Sequence, residues 1–152
     1  MIEPGVRPAV LADRDALVWL EDTARHGLLS QRGGDLWLER HPAQSPDWAA
    51  VASGDVLVAT IDEVVVGYLR FTVRNRVVTV EDVFVHHGAR EVGCGDALLA
   101  RAVEVGVERG ARRIEAEALP GDRETKNLYE RAGITAKRIT VSAPIGPSGA
   151  DA

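Results

Sequence analysis

The junction between an apolar run and a helical pattern at residues 83–99 has the residue types that bind an anion. Val83-Phe84-Val85 is followed by Arg90-Glu91-Val92-Gly93-Cys94-Gly95, and a helical pattern starts at once. Glycines let the backbone approach a ligand, and a helix N-terminus presents unpaired N–H groups with a partial positive charge. Arg90 adds a fixed positive charge. The junction therefore predicts a site for a pyrophosphate group.

Other phosphate-binding loops fit this segment less well. A dinucleotide-binding fingerprint needs a third glycine where Leu98 stands, and a P-loop needs Gly-Lys-Ser/Thr, which is absent. The segment instead resembles the acyl-CoA loop of the GNAT superfamily of N-acetyltransferases, Arg/Gln-x-x-Gly-x-Gly/Ala between a strand and a long helix. The alternative is a tight turn that needs its glycines for geometry alone.

The resemblance implies an acetyl-CoA site. Its pyrophosphate would accept hydrogen bonds from the backbone N–H groups of residues 91–96, namely Glu91, Val92, Gly93, Cys94, Gly95 and Asp96. Its pantetheine arm would pair with the exposed backbone edge of Val83, Phe84 and Val85, which are also suited to a core strand. Cys94 replaces a small apolar residue of the family and has no obvious histidine partner, so we interpret it as a packing residue.

Two adjacent carboxylates, Glu81 and Asp82, interrupt a strand pattern, although strands are poor in acidic residues. In several GNAT enzymes a carboxylate on this strand takes the proton of the acceptor amine, and burial would raise its pKa to a useful value. Neighbouring residues face opposite sides of a strand, so we expect only one in the acceptor cleft. We favour Glu81 for its longer reach. The alternative is solvation or ion pairing with Arg70 or Arg113.

A second motif, Asn127-Leu128-Tyr129-Glu130-Arg131-Ala132-Gly133, resembles the family signature Leu-Tyr-Glu-x-x-Gly-Phe, with Ile134 in place of the phenylalanine. The family's tyrosine lies near the CoA sulfur and returns a proton to the thiolate, a role that falls here to Tyr129. The alternative is an aromatic side chain that only packs on the sheet.

The sequence also departs from the family pattern. Asp122 and Thr125 stand where asparagine and alanine are frequent, and Glu91 replaces a common glycine. We expect Asp122 to cap a helix and Asn127 to take over contacts to acetyl-CoA.

Hydrophobic periodicity predicts an α/β (α+β) protein with the order β-α-α-β-β-β-α-β-α-β. This order resembles that of the GNAT fold, and the resemblance implies a mixed central sheet. Strands are predicted over 5–10, 56–61, 64–73, 77–85, 113–119 and 137–141. Helices are predicted from Asp13 toward 29, over 36–40, 95–109 and 122–133, with one helical turn at 48–51. We expect one domain over 1–141 and a disordered tail over 142–152, which is rich in Gly, Pro, Ser and Ala.

Composition narrows the class of protein. The 152 residues carry a formal charge of −5, which argues against nucleic-acid binding and is compatible with a cationic amine. A single cysteine excludes an intrachain disulfide, and no apolar run or leader-like segment is visible, so we expect a cytoplasmic protein without membrane contact. His86-His87 lack further ligand spacing, so no metal is expected.

The sequence therefore predicts an N-acetyltransferase that moves an acetyl group from acetyl-CoA directly to a primary amine. A non-catalytic acyl-CoA-binding regulatory module would need Arg90, Gly93 and Gly95 but not Glu81 or Tyr129. A structural domain without CoA is the third possibility. The acceptor is not identified, although segment 23–53 is expected to form much of its pocket. A single strand after the last helix predicts an open sheet edge or a homodimer.

Overall fold

A five-stranded mixed sheet forms the centre of the computed structural model, which describes residues 3–44, 48, 51 and 55–146. The spatial order equals the chain order, with every pair antiparallel except the last, which is parallel. The strands are β1 Gly5–Pro8, β2 Val56–Ile61, β3 Val64–Arg74, β4 Val77–Val85 and β5 Arg113–Ala116.

Four helices lie wholly within the described residues. Those named here are α1 Arg14–Gly27, α2 Gly34–Arg40, α3 Cys94–Glu108 and α4 Arg123–Arg131. Short 3-10 turns lie at Leu11–Asp13, Leu28–Ser30 and His87–Val92. The parallel β4–β5 pair with α3 between its strands is the crossover unit that the sequence predicts.

Two predicted hairpin turns are present. Asp62 and Glu63 have φ values of 48° and 67°, and Asn75 and Arg76 have values of 52° and 64°. Consecutive left-handed residues are typical of the two-residue turn that matches strand twist. The turns therefore fix β2, β3 and β4 as an antiparallel meander.

Each face of the sheet has its own core. On the side of α3 and α4, which we call the α3 face, Leu69, Phe71 and Val80 pack in one cluster with both helices. On the opposite side, the α1 face, Tyr68 and Val58 pack in a second cluster with α1. Tyr68 and Leu69 therefore lie on opposite faces of β3, as neighbouring residues of a strand do.

The predicted strand over 137–141 is wrong. These residues belong to no strand, and the side chains of Ile139 and Val141 are 82% and 88% exposed. A strand pattern becomes a strand only when a neighbour pairs with it, and β5 ends at Ala116 rather than at 119. The predicted turn at 48–51 falls mostly outside the described residues, as do positions 147–152 of the predicted tail.

Candidate active site

A cleft opens where β4 and β5 separate. Their pairing runs only from Val77 opposite Arg113 to Val80 opposite Ala116, while β4 continues to Val85. Within the described part of the chain, no strand pairs with that side of β4 over 81–85. The cleft has a volume of about 590 Å³. Backbone groups of β4 are thus available along it to an extended ligand.

Most of the residues that the sequence predicts for the site line this one cleft. They are Glu81, Val83, Phe84, Val85, Arg90, Glu91, Gly95, Asp96, Asn127 and Tyr129. Asp82 lines it too, whereas Val92, Gly93 and Cys94 do not. The Cys94 side chain is fully buried in the core of the α3 face, and burial raises the pKa of its thiol. This agrees with its interpretation as a packing residue.

The two glycines before and in α3 have different roles. Gly93 adopts a left-handed φ of 82° at the N-cap of α3, a conformation that costs other residues energy. Gly95 has an ordinary conformation, but a Cβ there would lie 3.4 Å from both δ carbons of Leu128 on α4. Gly93 sets the helix start, and Gly95 faces α4 at a distance where a Cβ would be in van der Waals contact with Leu128.

Arg90 lies in the 3-10 turn His87–Val92 that follows β4. Its Nε donates to the carbonyl of Val85 at 3.0 Å, its guanidinium lies 5.7 Å from the Phe84 ring centre, and it forms an ion pair of 2.6 Å with Glu124 of α4. Because of this ion pair, an anion bound by Arg90 would replace the Glu124 carboxylate. A second ion pair joins Asp96 of α3 to Arg131 of α4 at 3.0 Å.

A β-bulge at Glu81 overturns our expectation that the two carboxylates face opposite sides. Arg70 pairs with Asp82 and Phe71 pairs with Val80, so Glu81 is the extra residue of β4. A bulge shifts the side-chain alternation by one residue. Glu81 accepts a hydrogen bond from Thr72 Oγ1 at 3.1 Å, and Asp82 accepts one from the Tyr68 hydroxyl at 2.6 Å. Both carboxylates therefore lie on the α1 face.

Asp82 has the more perturbed environment. Burial raises the pKa of its carboxyl group above the ordinary range, and the negative charge of Glu21 acts in the same direction. The Tyr68 hydrogen bond and the positive charge of Arg70 oppose this rise in pKa. Burial also raises the pKa of Tyr68 well above its ordinary value, so its hydroxyl keeps its proton and donates.

Tyr129 lies on α4 with 7% of its surface exposed. Burial, with added repulsion from Asp82, Asp122 and Glu117, raises the pKa of its phenol well above the ordinary range. The phenol is therefore protonated at neutral pH and able to donate a proton inside the cleft.

Asp122 and Thr125, the two residues that depart from the family pattern in this segment, contact each other at the start of α4. Asp122 caps α4 and accepts hydrogen bonds from the Thr125 backbone N–H at 3.1 Å and from Thr125 Oγ1 at 2.6 Å. The predicted cap is therefore present, and the two residues act as a pair.

The α1 face of the cleft carries residues that sequence reasoning did not assign. Trp37 and His41 of this wall stack with ring centres 4.3 Å apart, and Arg25 donates to the His41 carbonyl at 2.7 Å. Glu21 of α1 lies outside the lining of this cleft and is 3% exposed, and both its oxygens accept from the Gln44 N–H, at 3.1 and 2.9 Å. The sequence could have indicated this burial, because Glu21 lies one helical turn after the buried Leu17 and a carboxylate on an apolar helix face is unusual.

Among the described residues no helix is long and apolar enough to span a membrane, and no group of three or more potential ligands is arranged to hold a metal.

The five-stranded sheet, the crossover helix α3 and this cleft have the architecture of the GNAT acetyltransferase family. Residues 17–134 match the acetyltransferase (GNAT) family, and the chain belongs to that family. No curated protein matches the chain.

Three solved structures illustrate the fold that this chain shares with known proteins. The aminoglycoside N-acetyltransferase AAC(6')-Iy, bound to a bisubstrate analogue of CoA and acetylneamine, is 18% identical with a TM-score of 0.65, over 95% of this chain and 99% of that one. A ribosomal-protein-alanine N-acetyltransferase from Brucella melitensis is 26% identical with a TM-score of 0.65, over 85% and 83%. The protein yncA from Salmonella typhimurium, solved with acetyl-CoA, is 23% identical with a TM-score of 0.62, over 86% and 78%.

Proposed function

We propose that this protein transfers an acetyl group from acetyl-CoA to a primary amine by direct attack. The observation that carries the proposal is the cleft between β4 and β5. It joins an open strand edge, the start of a helix and a protonated phenol in one continuous space. These are the parts needed to hold an extended thioester and to act on its sulfur.

Acetyl-CoA would lie along the cleft with its diphosphate at the start of α3. Backbone N–H groups of residues 91–96 would donate to the diphosphate. Arg90 would break its ion pair with Glu124 and bind the diphosphate instead. The backbone over 83–85 would pair with the pantetheine arm. Asn127 lines the same space and would contact the cofactor through its amide.

The chemistry balances with two proton transfers. An ammonium group gives one proton to a carboxylate of β4, and the neutral nitrogen attacks the thioester carbonyl carbon. As the C–S bond breaks, Tyr129 donates its proton to the thiolate, and the resulting phenolate takes the second proton from the new amide nitrogen. Glu81, which the sequence favours, and Asp82 are the two candidates for the first step, since both lie on the cleft wall.

The acceptor would be a cationic amine from the cytoplasm. Support comes from carboxylates on the cleft wall, where Glu115 and Glu117 join Glu81 and Asp82.

A homodimer is also proposed, because β5 is an edge strand and Ile139 and Val141 are exposed.

Two measurements in sequence test this function. Calorimetry with acetyl-CoA establishes binding, and release of the CoA thiol is then followed with spermidine, kanamycin and a peptide with N-terminal alanine. We expect binding and amine-dependent thiol release. Binding with no thiol release from a broad amine panel would favour the non-catalytic acyl-CoA-binding module, and absence of binding would contradict both.

A further inference from the structure

Glu115 of β5 lies on the same face of the sheet as the β4 carboxylates. Its neighbours Ile114 and Ala116 pack in the core of the α3 face, so strand alternation places Glu115 on the α1 face. Glu115 is the register partner of Thr79, which lies two β3 positions from the level of Asp82. The two carboxylates are therefore offset by about 7 Å along the strands, and both line the cleft.

The part of the cleft around Glu115 carries an excess of negative charge. It is formed by four acidic residues: Glu81, Asp82, Glu115 and Glu117. No ion pair joins any of these four to another residue in the described part of the chain. Of the three arginines that line the cleft within the described residues, Arg90 and Arg131 are paired with other carboxylates, which leaves Arg138. Arg25 and Arg70 also act on Asp82 but lie outside the lining.

His41 adds a hydrogen-bond acceptor of a different kind to the same cleft. Its Nδ1 lies 2.9 Å from the carbonyl oxygen of Trp37, which can only accept, so Nδ1 carries the ring proton. The other ring nitrogen, Nε2, is then an acceptor in the neutral ring, and no described residue bonds to it. The ring is held by stacking on Trp37, with ring centres 4.3 Å apart, and by the hydrogen bond from Arg25 to the His41 carbonyl. This wall is therefore a fixed flat surface that lacks a hydrogen-bond donor at Nε2.

We propose that the acceptor is a short aliphatic diamine, whose second ammonium group is bound by Glu115 and His41 while the first lies at the thioester. The inference rests on the proposed acetyl transfer and names the class of its acceptor. An ammonium group brings a positive charge and three N–H donors to a space that offers carboxylates and the Nε2 atom. The methylene chain between the two nitrogens would lie against the stacked rings of Trp37 and His41.

A matched pair of amines tests this class of acceptor. 1,4-Diaminobutane and butylamine have the same carbon chain and differ in the second ammonium group. Thiol release at pH 8 and saturating acetyl-CoA gives kcat/KM for each amine. We expect the diamine to be preferred by about tenfold, the effect of one charge pair with an added hydrogen bond. A preference of twofold or less, the factor that two equivalent nitrogens give by themselves, would overturn the inference.

Variants of the cleft locate the second ammonium group. Glu115→Gln keeps the shape of an exposed side chain and removes its charge, so the preference for the diamine should fall by about two- to fivefold. His41→Phe keeps a stacked ring and removes Nε2, so the preference should fall as well. Arg138→Gln removes a positive charge from the cleft, so the preference should rise.

The matched control is Glu108→Gln, which removes an equally exposed carboxylate at the end of α3, outside the cleft. We expect it to keep the preference of the unmodified protein. The comparison of two amines within each variant cancels any change in acetyl-CoA binding, because both reactions use the same cofactor. A preference that is the same in Glu115→Gln as in Glu108→Gln would mean that Glu115 does not bind the acceptor.

A second readout needs no acetyl transfer. Calorimetry with the protein saturated with CoA measures the binding of each amine directly. We expect 1,4-diaminobutane to bind more tightly than butylamine, and Glu115→Gln to reduce that difference. Equal affinities would overturn the inference even if both amines are acetylated. Tighter binding of the diamine without transfer to any amine would contradict the proposed function instead, so the two failures are distinguishable.

Discussion

Arg90 in the 3-10 turn after β4 and Glu124 in the first turn of α4 form an ion pair of 2.6 Å across the wall of the cleft. Arg90 is also oriented by the Val85 carbonyl and the Phe84 ring, whereas Glu124 is largely exposed. The guanidinium is therefore preorganised by β4, and its carboxylate partner is replaceable. A diphosphate would compete with Glu124 for the same nitrogen atoms.

We accordingly expect Glu124→Gln to strengthen the binding of acetyl-CoA by about two- to fivefold at low salt, the effect of removing one exposed competing charge. Calorimetry at two salt concentrations measures it. The matched control is Glu104→Gln, which removes the exposed ion pair between Glu104 and Arg101 on α3, away from the cleft. Weaker binding in Glu124→Gln than in the control would mean that Arg90 does not bind the diphosphate.

Gly95→Val should abolish measurable binding of acetyl-CoA. Its side chain would enter the space between α3 and Leu128 of α4, which a single Cβ already approaches to 3.4 Å. α4 would then move, and with it Asn127 and Tyr129. Calorimetry gives the affinity, and thermal unfolding shows whether the variant is folded. Unchanged affinity in a folded variant would remove this segment from the binding site.

Tyr129→Phe should lower kcat by about 10²-fold or more and leave the affinity for acetyl-CoA nearly unchanged. The phenol acts on charge that develops on sulfur only as the C–S bond breaks, so its loss affects the transition state rather than the ground state. Single-turnover thiol release measures the chemical step, and calorimetry measures binding. A variant with full turnover would exclude Tyr129 from the reaction.

The fold was predictable where local signals are strong. The hairpin turns at Asp62-Glu63 and Asn75-Arg76 and the strand-to-helix junction at Gly93 all lie where periodicity and turn chemistry place them. The strand predicted over 137–141 is absent from the structure. Its alternating pattern is a local signal, whereas a strand forms only where a neighbouring sheet edge pairs with it. Sequence alone does not show how far β5 extends beside such a segment.

The sequence predicted which residues line the site, but not the faces on which their side chains lie or the residues that contact them. Alternation assigned Glu81 and Asp82 to opposite faces, and the bulge at Glu81 placed both on one face. No feature of the local sequence marks that bulge. The partners of Asp82 also come from distant parts of the chain, Tyr68 from β3 and Glu21 from α1, so their approach depends on the tertiary structure.

The raised pKa of Asp82 makes a prediction for stability that requires no substrate. The folded protein holds a proton on this carboxyl more tightly than the unfolded chain does, since burial disfavours the charged form. Stability from this group is therefore complete below the ordinary pKa of 3.8 and is lost as pH rises through the raised value in the folded state. Asp82→Asn keeps an acceptor for the Tyr68 hydroxyl and carries no charge.

Asp82→Asn should thus match the unmodified protein in thermal stability near pH 4 and exceed it at pH 8, by about 2–4 °C if ionisation costs about 1 kcal/mol. Calorimetric unfolding across this pH range gives the difference. Asp96→Asn is the control, because Asp96 is exposed and paired with Arg131, and no gain with pH is expected there. If Asp82→Asn is the less stable protein at pH 8, the carboxylate is stabilised by its surroundings, and the fold does not hold Asp82 ready to accept a proton.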